Sequence, residues 1–238
     1  MRQFKLPQIS EETYPPFTGF PEEGIRFLQR LKRNNRREWF QQHKEEYERV
    51  VKLPMQSLIV ALQPRMATFA PEFEVNPSKS LFRIYRDVRF SPDKTPYKTH
   101  VAAHFVVSGK PKGMSGLGYY LHIEPGECYI GGGLYIPDPD QLKLIRRAIA
   151  TKWEEFLSIV HDEEFEELFL PLELESTKRV PRGYSDDHPA AEWLKLKQFS
   201  IGVTSPHTLS FSPAFVDYVV RVFQAATPWT HFLLKALD

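Results

Sequence analysis

The sequence predicts an α+β fold, a central and mostly antiparallel sheet flanked by amphipathic helices, and three observations predict it. Apolar residues recur at three- and four-residue spacing on either side of the middle of the chain, which is the helical period. The middle holds short runs rich in β-branched and aromatic residues, separated by glycine, proline and lysine. A length of 238 residues, 42% of them apolar, is enough for one substantial core. No shift in composition marks a boundary, so residues 1–238 are read as a single domain, with the proline-rich and polar residues 1–19 as a candidate extended arm.

The first helix is expected from Pro21, with Ile25, Leu28 and Leu31 on one face. Asn34-Asn35 breaks it, and Asn35 with Glu38 three residues on is a candidate capping pair for a second helix, because a side-chain oxygen can accept the free first-turn amides. That helix carries Phe40, His43, Tyr47, Val50 and Val51 on its stripe, and Pro54 should kink it or start a new one. Strands are expected over 101–107, 118–124 and 128–135, with Glu124-Pro125-Gly126-Glu127 as the tight connection of a hairpin. Part of the 81–90 run is expected along the edge of the sheet. Asp138-Pro139-Asp140-Gln141 reads as a capped helix start, and the spacing of Leu142, Ile145, Ile149, Trp153, Phe156 and Val160 predicts one helix that covers a face of the sheet. A short helix near 189–197, a strand at 199–203 and a last amphipathic helix through Phe215, Val219 and Phe223 follow, with Pro228 expected to interrupt it.

Composition narrows the function classes. The longest apolar stretches fall well short of the roughly 20 residues that span a bilayer, and no apolar signal segment follows the charged start, so a cytoplasmic location and no membrane partner are expected. The lone Cys128 has no nucleophile motif around it and reads as buried apolar filler. A formal charge of +1 argues against a chain devoted to nucleic acid, yet it hides blocks of opposite sign: residues 26–37 are basic and 154–175 acidic.

The strongest local signal is LFRIYRDVRFSPDKTPYKTH at 81–100, which sets five cations against Asp87 and Asp93. Arginine grips phosphate and carboxylate through two parallel charge-assisted hydrogen bonds, and lysine adds a mobile point charge. If 83–89 is extended, Arg83, Tyr85, Asp87 and Arg89 share one face, and Arg86 falls among Ile84, Val88 and Phe90, where it needs a partner from elsewhere. Arg86 and Asp87 are therefore expected in structural ion pairing. Ser91 before Pro92 is a candidate cap for a helical turn whose amides would also attract an anion. The ligand contacts expected are Arg83, Arg89, Lys94, Tyr97 and Lys98, for a phosphate- or carboxylate-bearing small molecule. An Arg-Asp network that merely fixes a bend competes with this reading. So does a nucleic-acid or protein-interaction module that uses the basic run as its contact surface, and it predicts one broad stripe made with 26–37.

The motif RIYRDVRFSPDKTPYKTH is similar to the signature of an uncharacterised bacterial family, domain of unknown function 2461, of the form R..RD.RF..DK..Y. Arg83, Arg86, Asp87, Arg89, Phe90, Asp93, Lys94 and Tyr97 match it, and NNRREWFQQHKEEY, GYYLHIEPGECYIGGGLY and KRVPRGYSDDHP resemble that family too. The resemblance implies a shared site or scaffold and brings no activity, so no cofactor, reaction or oligomeric state follows from it.

Other chemistry is weaker. Asp87, Asp93 and His100 are the candidate catalytic groups, although neighbouring arginines favour ionised aspartates, against the raised pKa of a general acid. His100 and His104 share a face if 98–107 is one strand, and a neighbouring strand can bring His122. About 13 Å separates His100 from His104 along such a strand, so no metal site is expected. Gly131-Gly132-Gly133 lacks P-loop and GxGxxG spacing and reads as a bulge or close backbone approach, with a ligand over it, beside Tyr119, His122 and Tyr135, as the alternative. In the loop 178–189, Arg182, Tyr184 and His188 are expected to join the 83–98 run in one anion pocket, or else the loop is a surface crossover. Trp39 and Trp193 are expected as core anchors.

Overall fold

A computed structural model describes residues 14–89, 91–109 and 116–238 of the chain. Helices α1 (Glu22–Arg33), α2 (Arg37–Gln42), α3 (Lys44–Tyr47) and α4 (Leu53–Met66) come first. Strands β1 (Val101–Val106), β2 (Leu117–Ile123) and β3 (Glu127–Leu134) form an antiparallel meander. Helices α5 (Pro139–Thr151), α6 (Trp153–Val160), α7 (Glu163–Phe169) and α8 (Ala191–Leu194) intervene before β4 (Phe199–Pro206), which pairs antiparallel with β3, and α9 (Phe215–Leu237) follows. The order is β1-β2-β3-β4, so helices flank one antiparallel sheet: an α+β fold.

The sheet is sided by its own sequence. Alternation along β2 sends Leu117, Tyr119, Leu121 and Ile123 into the core, where β3 adds Cys128 and Ile130 and β4 adds Phe199 and Ile201. Helix α9 lies on this face, with Trp229 buried and its indole N–H donating to the Phe199 carbonyl (2.9 Å). Gly132 permits the close approach: a Cβ there would stand 2.9 Å from Thr230 Oγ1 and 3.4 Å from the Ala226 methyl. The other face of β2 presents Gly118, Tyr120 and His122.

Several expectations are corrected. Helix α2 starts after Arg36 with no side-chain cap, because Asn35 is engaged elsewhere: its Nδ2 donates to the Tyr97 carbonyl (2.9 Å) and its Oδ1 accepts from the Tyr97 N–H (3.0 Å). Pro54 starts a new helix, one of its two expected outcomes, in the first turn of α4, while a π-helical turn at Glu48–Lys52 links α3 to α4. Asp138 and Gln141 form the expected capping box, but the long helix breaks at Lys152 into α5 and α6, and α5 packs on α9. The helix that covers the sheet is α9 instead. It runs unbroken through Pro228, and burial of Trp229, Phe232 and Leu233 offsets the one amide hydrogen bond that proline removes. Of the expected arm, 1–13 lies outside the described residues. Phe17 packs against the core, and the Phe20 N–H donates to Ser210 O, so 14–20 is docked.

The β1 edge of the sheet is covered. Beside β1, Leu81 bridges Ala103 and Phe73 bridges Val107, with the Phe82 N–H donating to Ala102 O (2.9 Å). Outside the sheet, Ser176 bridges Leu196 in the stretch just before β4. Among the described residues no helix is long and apolar enough to cross a membrane.

Candidate functional site

The basic run is not a strand. Residues 81–98 cross the β1 edge through Leu81–Ala103 and fold back through a single Tyr85–Tyr97 bridge, with the Arg86 N–H donating to Pro96 O (2.9 Å). Ile84 is buried, and Arg86, half-buried beside it, finds its partners in the following loop: it pairs with Asp93 and donates to Thr95 Oγ1 (2.6 Å). Asp87 takes two hydrogen bonds from the Arg89 guanidinium (2.9 and 2.7 Å). That guanidinium and the Arg89 backbone N–H hold the Asp87 carboxyl at about 2. Asp93 is held at about 2 chiefly by the Thr95 backbone N–H, then by Arg86. The Asp93 side chain makes an Asx turn where a Ser91-capped helical turn was expected, and Lys94 Nζ donates to Val88 O (2.9 Å).

Tyr97 differs most from expectation. It is 1% exposed, stacked on Phe40 at 4.2 Å between ring centres, so it belongs to the core and lines no ligand surface. Lys98 goes the other way. Its Nζ lies 4.6 Å from the centre of the Phe82 ring, and burial followed by the nearby Arg83 charge pushes its pKa down.

Phe82 opens onto a cleft of about 720 Å³ that lies across the polar face of the sheet. Its floor is Gly118, Gly131 and Gly133, and its lining includes His104, Tyr120, His122 and Tyr129. Tyr135, Glu173, Leu174, Gln198 and Ser200 close the far side. Small floor residues are built in: Gly133 has φ +107°, and a Cβ on Gly131 would stand 2.1 Å from the Ile201 carbonyl oxygen. The expected close backbone approach at Gly131-Gly132-Gly133 is thus present, and the cleft above Gly131 and Gly133 has His122 and Tyr135 beside it. Tyr119 is not there, since it points into the core.

Rings organise the cleft. Phe82 stacks parallel to His104 (6.0 Å, 10°), and His122 stacks on Tyr129 (5.9 Å, 18°). His100, just before β1, and His122 on β2 are 5.5 Å apart between ring centres. Burial pushes the His104 pKa down to about 4. His100 is lowered by burial and then by His122, with Glu124 opposing; His122 is lowered by burial, with Glu127 opposing. The cleft therefore holds neutral imidazoles at neutral pH, able both to donate and to accept.

Among the described residues no hydrogen bond or ion pair joins the loop 178–189 to the basic run; the loop is held instead at the end of α5 and at α8. His188 is a structural residue: Nε2 contacts Ala150 O (3.1 Å) and Nδ1 accepts from the Ala190 N–H (3.0 Å), tying α8 to the end of α5. Tyr184 packs against the core, and Arg182 is exposed. None of the three lines the cleft. Trp39 and Trp193 pack against the core as expected, and Cys128 is buried, its thiol pushed up to about 11 by burial. Sequence reasoning missed Phe82, Tyr120 and Tyr129. The signal for Tyr120 was the strict alternation of β2, in which Gly118, Tyr120, His122 and Glu124 fall at every second position opposite an apolar set.

Fold and cleft define an α+β protein with a histidine- and tyrosine-walled cavity across the polar face of an antiparallel sheet. The family model described as conserved hypothetical protein DUF2461 matches residues 23–232, and the chain belongs to that family. No curated protein and no solved structure matches the chain.

Proposed function

We propose that the cleft binds a phosphate- or carboxylate-bearing small molecule, with the body of the ligand over the glycine floor and its anionic end at Lys98 and Arg83. The observation that carries this reading is the place of Lys98. It is a partly desolvated ammonium held against Phe82, which is itself a wall of a cavity large enough for a metabolite-sized ligand. Desolvation strengthens the attraction of such a cation for an anion. The other cations of the run contribute less, since Arg86 is tied to Asp93 and Arg89 to Asp87.

The test uses inorganic phosphate and adenosine monophosphate as probes in calorimetric titration. Lys98→Met keeps the apolar stem against Phe82 and removes the charge, so it should weaken capture about tenfold, the loss of about one charge-assisted hydrogen bond, with the Tm unchanged. Equal binding by wild type and Lys98→Met overturns the reading. A contact surface for nucleic acid is the second reading, favoured by one observation: Asn35 stitches the 26–37 segment to the 83–98 segment at Tyr97.

A further inference from the structure

We infer that His122, Glu124 and Glu127 form a site for a first-row divalent metal ion at the hairpin end of the cleft. The inference goes beyond the anion reading and does not depend on it. It starts from the register of β2 and β3. Glu124 and Glu127 exchange backbone hydrogen bonds (2.9 and 3.2 Å) around the Pro125-Gly126 corner, where Gly126 has the φ of +115° that its turn position requires. Residues paired in this way project to the same face, and His122 lies two residues before Glu124, so all three side chains emerge on the cleft face. On β1, Val101 is paired with Ile123, and the ring of His100 just before it lies 5.5 Å from that of His122.

The distances follow from that placement. One ligand atom from each of His122, Glu124 and Glu127 can be chosen so that all lie within 4.8 Å of one another, and His122 Nε2 is 3.7 Å from Glu124 Oε1. Ligands at about 2.0–2.2 Å from a common ion stand about 3–3.5 Å apart, so rotation of the exposed Glu127 side chain closes the set. The 3.7 Å separation is too long for a hydrogen bond.

The second observation is independent of the carboxylates. Both ring nitrogens of His122 are shielded from solvent, and neither has a hydrogen-bond partner among the described residues. Stacking on Tyr129 fixes the plane of the ring but satisfies neither nitrogen. A buried polar atom without a partner is costly, and a ligated ion removes that cost for the nitrogen it takes. The charge of the set suits the ion, since the two carboxylates balance a divalent cation. Imidazole with carboxylate selects Zn²⁺, Mn²⁺ or Fe²⁺ over Ca²⁺ and Mg²⁺, which prefer all-oxygen sets.

Titration of the EDTA-treated full chain with Co²⁺, followed by visible absorption and then by competition with Zn²⁺, tests the site. One saturable equivalent is expected, with ligand-field bands that Zn²⁺ abolishes. Glu127→Gln lies on an exposed hairpin position and leaves the fold intact. It should weaken Co²⁺ binding more than about tenfold, as should Glu124→Gln. His161→Gln, which removes another His–Glu pair away from the cleft, should change nothing. Absence of a saturable equivalent, or equal binding by wild type and Glu127→Gln, overturns the inference. Lys98→Met should keep full Co²⁺ binding, which separates failure here from failure of the anion reading.

Discussion

Arg86 has the clearest duty of any single residue in the basic run. Its guanidinium joins Asp93 and Thr95 across a loop that has no regular secondary structure to hold it, so Arg86→Ala should lower the Tm by a few degrees, whereas Lys94→Ala should leave it unchanged. The pH dependence of the difference identifies the cause. The folded pKa of Asp93 is depressed to about 2, below the ordinary value of about 3.9, so its contribution is present above pH 4 and lost as pH falls towards 2. Scanning calorimetry of wild type and Arg86→Ala should show their Tm gap shrinking over that window, and a gap constant with pH would assign the loss to packing alone. His104 acts in the same direction by another route. Its folded pKa of about 4 lies below the ordinary 6.5, so the unfolded chain binds the extra proton first and stability falls as pH drops from 6.5 to 4. His104→Phe keeps the stack on Phe82 and should flatten that part of the stability profile, as denaturant titrations at pH 7 and pH 5 would reveal.

At the scale of elements, the contact of β3 with α9 holds the sheet to its helical layer. Gly132→Val puts branched carbon where Thr230 Oγ1 and the Ala226 methyl leave no room, and the overpacking should cost about 1–3 kcal/mol in urea unfolding. A variant as stable as wild type would mean that α9 rides over the sheet more loosely than Trp229 and Thr230 imply. Elements whose signals are local were readable from sequence: the Asp138 capping box, the Pro125-Gly126 corner, and the alternation of β2. Elements decided by distant partners were not. Asn35 looks like a cap but bonds to Tyr97 62 residues away, and Pro228 looks like a break but lies where buried aromatics hold the helix together. The candidate site divides in the same way. The basic run stands out by composition, yet the cleft beside it arises only when His104, Tyr120 and Tyr129 from three strands are laid on one face, which no linear motif displays.

At the scale of the whole molecule, the charge blocks of the sequence and the basic run are answered by partners only in part: Lys32, Arg33, Arg36 and Arg37 stay exposed, with no ion pair among the described residues. Arg26 pairs with Glu22 and Glu23, Arg30 with Glu46, Arg86 with Asp93 and Arg89 with Asp87. From the acidic block, Glu164 and Glu167 are taken by Arg221 of α9. Phosphate contacts draw their strength from released counterions, so each cation already neutralised by a carboxylate lowers both affinity and its dependence on salt. With a net charge of +1 and Arg26, Arg30, Arg86 and Arg89 neutralised in this way, the chain should bind generic duplex DNA or RNA weakly, with a shallow salt slope, when followed by fluorescence anisotropy from about 20 mM salt upward. A steep slope, lost on substitution of Arg36 and Arg37, would show that the surface stitched together at Asn35 works as one stripe and would favour the nucleic-acid reading. A flat response, with adenosine monophosphate binding that depends on Lys98, places the activity in the cleft.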